Sequence, residues 1–306
     1  MTKILILMQR LAYIIAYPLI FGISILPFPI LYFFSDCVYV LVYHIIGYRQ
    51  KVVRENMKMA LPNLTHKEQR KIERQFYHHF CDSFLEMIKT MGMSLDEVCR
   101  RFKLTNPEVL QQLEQEGKSV AILTAHYANY EWILGLSKHL TTFVGFGIYK
   151  PIKNVYFDRL VRKFRGKLKS ELIGIRDVIP TMRKNVREGK HGFYGFVTDQ
   201  SPMLSSAIHW GKFFGQEVPV QIGGEMLAKK VGLNVVYAKI DKVKRGYYEC
   251  TFIKVEGDIA AITNFEITDN YMKLLEQQII KAPAYYLWTH KRFKHCKKEA
   301  ESNGCC

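Results

Sequence analysis

The stretch Ser119-Val-Ala-Ile-Leu-Thr-Ala-His126-Tyr-Ala-Asn129-Tyr-Glu131-Trp132 decides how the chain is read. Residues 119–125 form an apolar run that predicts a buried strand. Residues 129–139 predict a helix. His126 and Glu131 are then delivered at a strand-to-helix junction, with four residues between them. In one regular helix, residues five apart point about 140° away from each other. The two therefore converge only if His126 sits on the loop and Glu131 in the first helical turn. Such a corner offers a general base, a carboxylate to orient it, and backbone N–H groups of positive partial charge. A surface ion pair or a structural histidine would leave the same trace, so the surrounding chain must weigh in.

Downstream, residues 142–149 predict a second buried strand, ending at Lys150-Pro151 with Asn154 soon after. Residues 192–198 predict a third, which delivers Asp199-Gln200-Ser201-Pro202 at its end. Ligands of α/β folds bind beyond strand C-termini, which makes Asp199 and Gln200 site candidates, although an Asp there also serves as a helix cap. Between these strands, residues 150–190 hold thirteen Lys or Arg against four acids. That concentration reads either as a phosphate-binding region or as a solvated face. Lys212-Phe-Phe-Gly215 predicts a loop presenting two aromatics. Residues 218–231 predict a helix in which Gly223-Gly224 packs closely against a neighbour. Residues 235–240 and 247–255 predict paired strands around a Lys-Arg-Gly turn, and Thr268 a cap for a last helix reaching Lys281.

Upstream, residues 11–35 carry no charge for 25 positions, long enough to cross a bilayer. Pro18, Pro27 and Pro29 each remove a backbone donor, which predicts a kinked span followed by a second, interfacial helix. A buried hairpin is the alternative. Residues 49–74 contain eight Lys or Arg and three Glu, suited to anionic head groups beside an apolar anchor or to a solvated helical face. Thr65 and Glu68 form a capping-box pattern. Ile72, Phe76, Phe80, Phe84 and Ile88 then recur at helical spacing, as core residues do.

A chain of 306 residues can bury one substantial α/β core plus an appendage. The 44 Lys and Arg against 28 Asp and Glu favour an anionic partner: nucleic acid, a phospholipid surface or a phosphorylated ligand. The apolar N-terminus and the absence of any nucleic-acid-binding motif argue against nucleic acid. Seven cysteines, five of them scattered and two adjacent at Cys305-Cys306, fit reduced thiols in a cytosol-facing protein. There is no P-loop, GxGxxG fingerprint or cluster with metal-ligand spacing, so neither cofactor nor metal is expected.

Taken together, these segments resemble the late lipid A acyltransferases, the lauroyl/myristoyl transferase family within the lysophospholipid acyltransferase superfamily. The resemblance rests on the apolar N-terminus, Arg54-Glu-Asn-Met running into Leu61-Pro62, and His126 with Glu131 after four intervening residues. It continues through Tyr149-Lys-Pro151 with Asn154, Gly166-Lys-Leu-Lys-Ser170, Asp199-Gln200, Phe213-Phe-Gly215 and Leu287-Trp-Thr-His-Lys-Arg-Phe-Lys294. The His/Glu pair marks the superfamily, and the ordered set marks this branch. The chain departs from the family pattern at Lys150 and Lys167, where Arg is usual, and at Ser201-Pro202. Lys does not reproduce bidentate Arg–phosphate geometry, which leaves the acceptor open.

The resemblance implies one α/β acyltransferase domain at 48–298, with a mostly parallel or mixed central sheet flanked by helices. A membrane-anchoring helical segment at 1–47 and a polar tail at 299–306 complete it. It implies a bacterial inner (plasma) membrane enzyme facing the cytoplasm, moving an acyl chain from acyl carrier protein or CoA to a hydroxyl of a lipid A precursor. His126 would be the base and Glu131 its orienting partner. Asn129, Lys150, Asn154, Arg165, Gly166, Lys167, Asp199 and Gln200 would bind substrate, and Phe213 and Phe214 could guide acyl chains. A different lipid acceptor, or a non-catalytic membrane-surface binding protein, remain the alternatives.

Overall fold

Two apolar helices come first in the computed structural model, which describes residues 3–166 and 170–296. Lys167 and the tail expected at 299–306 lie outside the described residues. Helix α1 (Lys3–Ile25) continues through Pro18. The chain breaks at Leu26-Pro27, and α2 (Phe28–Tyr39) is prolonged by a π-helical stretch over Val40–Ile46. Ile6–Ile25 and Phe28–Ile46 are each long and apolar enough to cross a membrane, and Leu7, Ile15, Leu19, Phe33 and Ile45 are exposed. The second segment is also tied down. Its Asp36 accepts from Arg245 at 2.6 Å, and the same guanidinium holds the buried Asp82 at 2.7 Å.

Helix α3 (Gln50–Ala60) leads to α4 (His66–Lys89), which starts on the predicted capping box: Thr65 and Glu68 satisfy each other's backbone N–H groups. The aromatic stripe on α4 is only partly core. Phe76 is buried, but Phe84 is exposed and helps line a cavity. Next come α5 (Leu95–Arg101), β1 (Phe102–Leu104), α6 (Glu108–Gln115) and β2 (Val120–Thr124), the last buried at every position. The chain continues through β3 (Val144–Tyr149), α7 (Val155–Gly166), β4 (Ser170–Gly174), α8 (Val178–Arg187) and β5 (Gly192–Val197). A small hairpin, β6 (Trp210–Phe213) with β7 (Gln216–Pro219), precedes α9 (Gly223–Val231), β8 (Asn234–Lys244), β9 (Tyr247–Lys254) and α10 (Glu266–Lys281).

Seven strands form one mixed sheet in the order β1-β9-β8-β2-β5-β3-β4, with only β8 and β9 antiparallel. Strand β2 lies between parallel neighbours β8 and β5, which explains its unbroken apolar run. Gly224 in α9 allows the close packing predicted for it: a Cβ there would lie 2.4 Å from Leu123 Cδ2. Gly192 is tighter still, because a Cβ would lie 2.5 Å from the Val144 carbonyl oxygen and 2.4 Å from Phe146. Gly192→Ala should therefore cost about 1–3 kcal/mol, as overpacking does. A thermal melt matching wild type would show that the β3–β5 pairing yields without penalty.

Several expectations are revised. Residues 130–139 wind as a 3₁₀ helix (Tyr130–His139) rather than an α-helix. Gly135 brings this backbone against Val98, and Ser137 donates to the Leu134 carbonyl three residues back, favouring the tighter turn. Residues 216–219 are strand, so α9 starts only at Gly223. Phe213 does not project from a loop. It is fully buried on Phe293 and beneath Arg292, and the positive φ of Phe214 and Gly215 closes a two-residue hairpin turn. Thr268 lies inside α10, where its N–H and hydroxyl donate to Glu225.

Candidate active site

Strands β2 and β5 run parallel with Thr124 opposite Val197. Two residues beyond each lie His126 and Asp199, so the register itself brings them together. His126 Nδ1 lies 2.7 Å from Asp199 Oδ1, and the His126 backbone N–H donates to the same oxygen at 3.1 Å. A carboxylate only accepts, so Nδ1 carries the proton and Nε2 is left with its lone pair. Gln200 Nε2 lies 3.4 Å from each ring nitrogen, and the Tyr130 ring meets the imidazole edge-on at 4.8 Å. Burial disfavours the imidazolium, but the charge and hydrogen bond of Asp199, with a smaller contribution from Glu131, outweigh it. His126 is held above the ordinary histidine value. Asp199 is buried, which alone would raise its pKa. The His126 charge and hydrogen bonds reverse that, and its carboxyl stays below the usual range.

The expected His126–Glu131 contact is replaced by two separate pairs. Arg165 Nη2 donates to both Glu131 oxygens at 2.7 and 2.6 Å, with the side chains 14% and 18% exposed. Among the described residues, Arg165 Nε is buried and bonded to nothing, as are the hydroxyls of Thr124 and Thr198 at the ends of β2 and β5. The corner between His126 and Glu131 turns at Ala128, whose φ of 50° lies in the left-handed region that non-glycine residues avoid. It is held there from outside. The Ala128 N–H donates to the Tyr285 carbonyl at 2.9 Å, and the Leu287 N–H to the His126 carbonyl at 3.1 Å. Tyr127 and Tyr286 form a bridge between these bonds. Residues 285–290 thus form a strap across the corner, fixed in turn by Asn56, which donates to the carbonyls of Trp288 and His290.

Two cavities meet at this corner, and a third adjoins them through Lys150, Arg165, Phe84 and Met87. The largest of them, about 540 Å³, is lined by His126, Tyr130, Glu131, Lys150, Arg165 and Gln200 among others. An apolar one of about 130 Å³ lies against His126 and Glu131, between Phe80, Phe84, Met87 and Leu287. Another apolar one, about 390 Å³, runs between α1, α4 and α7 past Ile20, Met87, Leu160 and Phe164, with Lys150 and Arg165 at its rim.

The other predicted substrate ligands divide between the frame and the cavities. Asn129 is buried and donates to Glu86 at 2.8 Å. Asn154 caps α7 through the N–H groups of Tyr156 and Phe157 and donates to the Gln9 carbonyl, clipping α1 to the domain. Gly166 ends α7 facing open space. Lys150 remains exposed on two cavities. The sequence reading missed Glu86, which is fully buried and also accepts from Tyr32 and Tyr248. Burial raises its carboxyl. A Glu among aromatics at core spacing on α4 was the available signal. Among the described residues, no group of three or more His, Cys, Asp or Glu could hold a metal.

Comparison with known proteins defines first a class, an acyltransferase, and then a family. The model for "Bacterial lipid A biosynthesis acyltransferase" matches residues 2–295, and the chain belongs to that family. It is 22% identical over 271 residues to the lipid A biosynthesis lauroyltransferase of Escherichia coli (strain K12), covering 88% of this chain and 87% of that protein. It is 20% identical over 288 residues to the lipid A biosynthesis palmitoleoyltransferase of the same strain, covering 88% and 86%. Similarity of the same extent holds for the lipid A biosynthesis acyltransferase of Shigella flexneri.

Proposed function

We propose that this acyltransferase moves a fatty acyl chain from an acyl thioester, carried by acyl carrier protein or CoA, to a hydroxyl of a lipid A precursor. The observation that carries the reading is the His126–Asp199 pair, which leaves Nε2 without its proton where the cavity of about 540 Å³ and the small apolar cavity meet. An alkyl hydroxyl is too weakly acidic to attack a thioester at neutral pH unaided. His126 Nε2 takes its proton as the oxygen forms a bond to the thioester carbonyl. Asp199 holds the ring in the required tautomer, and Asp199 and Glu131 together stabilise the imidazolium. The tetrahedral intermediate then collapses, the C–S bond breaks, and the thiolate leaves with the proton from His126. Such assistance is worth about 10²–10⁴-fold. We assign the stabilisation of the carbonyl oxygen to Arg165, whose Nη2 is committed to Glu131 while its Nε–H has no partner among the described residues.

The two apolar helices would hold the domain at the cytoplasmic face of the inner membrane. A carboxylate at the centre of a spanning helix costs about 2.5–3.5 kcal/mol. Asp36, bonded to Arg245, therefore favours a second helix lying along the domain at the interface over one crossing the bilayer. The decisive experiment incubates purified full-length protein with a panel of acyl carrier protein and CoA thioesters and lipid acceptors, read by mass spectrometry. Acyl transfer to a lipid A precursor is expected. Transfer only to unrelated lysophospholipids would refute the acceptor, and no transfer from any thioester would refute the donor class.

A further inference from the structure

Behind the catalytic corner lies a cavity of about 710 Å³, walled by the first half of α4, the β8–β9 turn and the end of α10. His79 and Tyr285 line both it and the small apolar cavity at His126. Their rings meet edge to face at 4.9 Å, so one layer of aromatic side chains separates the two spaces. The walls include Lys71, Lys242, Lys244, Arg245 and Lys281 against Glu68 and Asp82. Two of these cations are already balanced. Lys242 lies 3.8 Å from Asp82, and Arg245 is shared by Asp82 and Asp36. The Glu68 carboxylate is turned back onto the N–H and hydroxyl of Thr65. Lys71, Lys244 and Lys281 are exposed and, among the described residues, paired with no carboxylate.

We propose that this cavity binds the phosphate of a lipid, held by Lys71, Lys244 and Lys281. Three flexible ammonium groups facing one space without counter-ions suit a compact polyanion, for which Lys acts as a point charge. The lipid character follows from what borders the cavity. His78 on its wall stacks on Tyr39 of the second apolar segment at 3.6 Å, and Arg245 binds Asp36 of the same segment. Phe33 and Val40, on either side of Asp36 in sequence, are exposed. The cavity therefore opens beside the surface read above as membrane-facing, and the inference rests on that reading. Tyr285, on the shared wall, also accepts from the Ala128 N–H, so an occupant would lie one residue from the bond that holds the catalytic corner.

The test uses full-length protein in a neutral detergent. Calorimetric titrations with dihexanoyl phosphatidic acid, dihexanoylglycerol and inorganic phosphate compare wild type with the Lys71→Ala/Lys281→Ala double variant. Both lysines are exposed, so the melting temperature should not change. Wild type should bind the phosphatidic acid and not the uncharged glyceride. The double variant should bind it about ten- to thirtyfold more weakly, given the contribution of each Lys near an anionic surface. Equal affinity in both proteins would overturn the site. Inorganic phosphate bound as tightly as phosphatidic acid would overturn its lipid character.

Turnover measured alongside separates this proposal from the catalytic one, since lipid binding without transferase activity would leave the site standing. A KM that rises for a phosphorylated acceptor, and not for its dephosphorylated form, assigns the phosphate to the acceptor. Weakened phosphatidic acid binding with KM unchanged assigns it to a bystander phospholipid.

Discussion

His126→Ala is expected to lower kcat by about 10²–10⁴-fold, the range contributed by a positioned general base. That corresponds to roughly 3–5 kcal/mol of barrier at 1.36 kcal/mol per factor of ten. The fold should survive. Asp199 still accepts the backbone N–H of residue 126, and the strap still holds the corner through main-chain bonds. The space vacated by the ring opens onto a cavity, so added imidazole should restore part of the rate. A folded His126→Ala protein turning over near wild-type speed would remove catalysis from this corner.

Asp199→Asn should cost a comparable factor by a different route, visible in the pH profile. On the proposed mechanism the working base is neutral His126, so wild-type activity should rise with pH through a pKa above the ordinary value. With the carboxylate gone, burial dominates and the imidazole pKa falls. The acidic limb of the profile should therefore move to lower pH while the plateau drops about 10²–10⁴-fold, because the amide no longer fixes the tautomer or stabilises the imidazolium. A plateau loss with the acidic limb unmoved would mean that Asp199 supports the fold rather than His126. The sequence reading placed this effect on Glu131. Glu131→Gln should still lower the rate by weakening the field at the ring, but its first consequence is to unsettle Arg165.

His126 was legible because a buried strand running into a polar corner leaves a local trace. The strands that deliver it and Asp199 were legible for the same reason. Their pairing was not, since it depends on β2 and β5 being neighbours in one register, a fact about residues 73 apart in the chain. Arg165 was visible as one charge in a basic run, but nothing local ties it to a carboxylate 34 residues earlier. Strand β4 escaped notice because five residues beside a lysine-rich segment carry little periodic signal. Asn129 and Asn154 read as substrate ligands because both are polar residues shortly after a strand end. Their amides proved committed to Glu86 and to the start of α7, which only the packing reveals.

The strap has a consequence for the order in which the enzyme matures. The corner at 126–128 is completed by main-chain bonds to Tyr285 and Leu287, the latter 161 positions later. At about 5–20 residues per second of synthesis, that interval is roughly ten to thirty seconds. During it both apolar helices have left the ribosome, while His126 stands in a loop with nothing to lock Ala128 in its left-handed turn. The contacts that complete the corner are therefore among the last the chain can make. On the function proposed above, the apolar helices are free of the ribosome before the corner can close, so a nascent chain lacks the geometry for acyl transfer until its last residues are made.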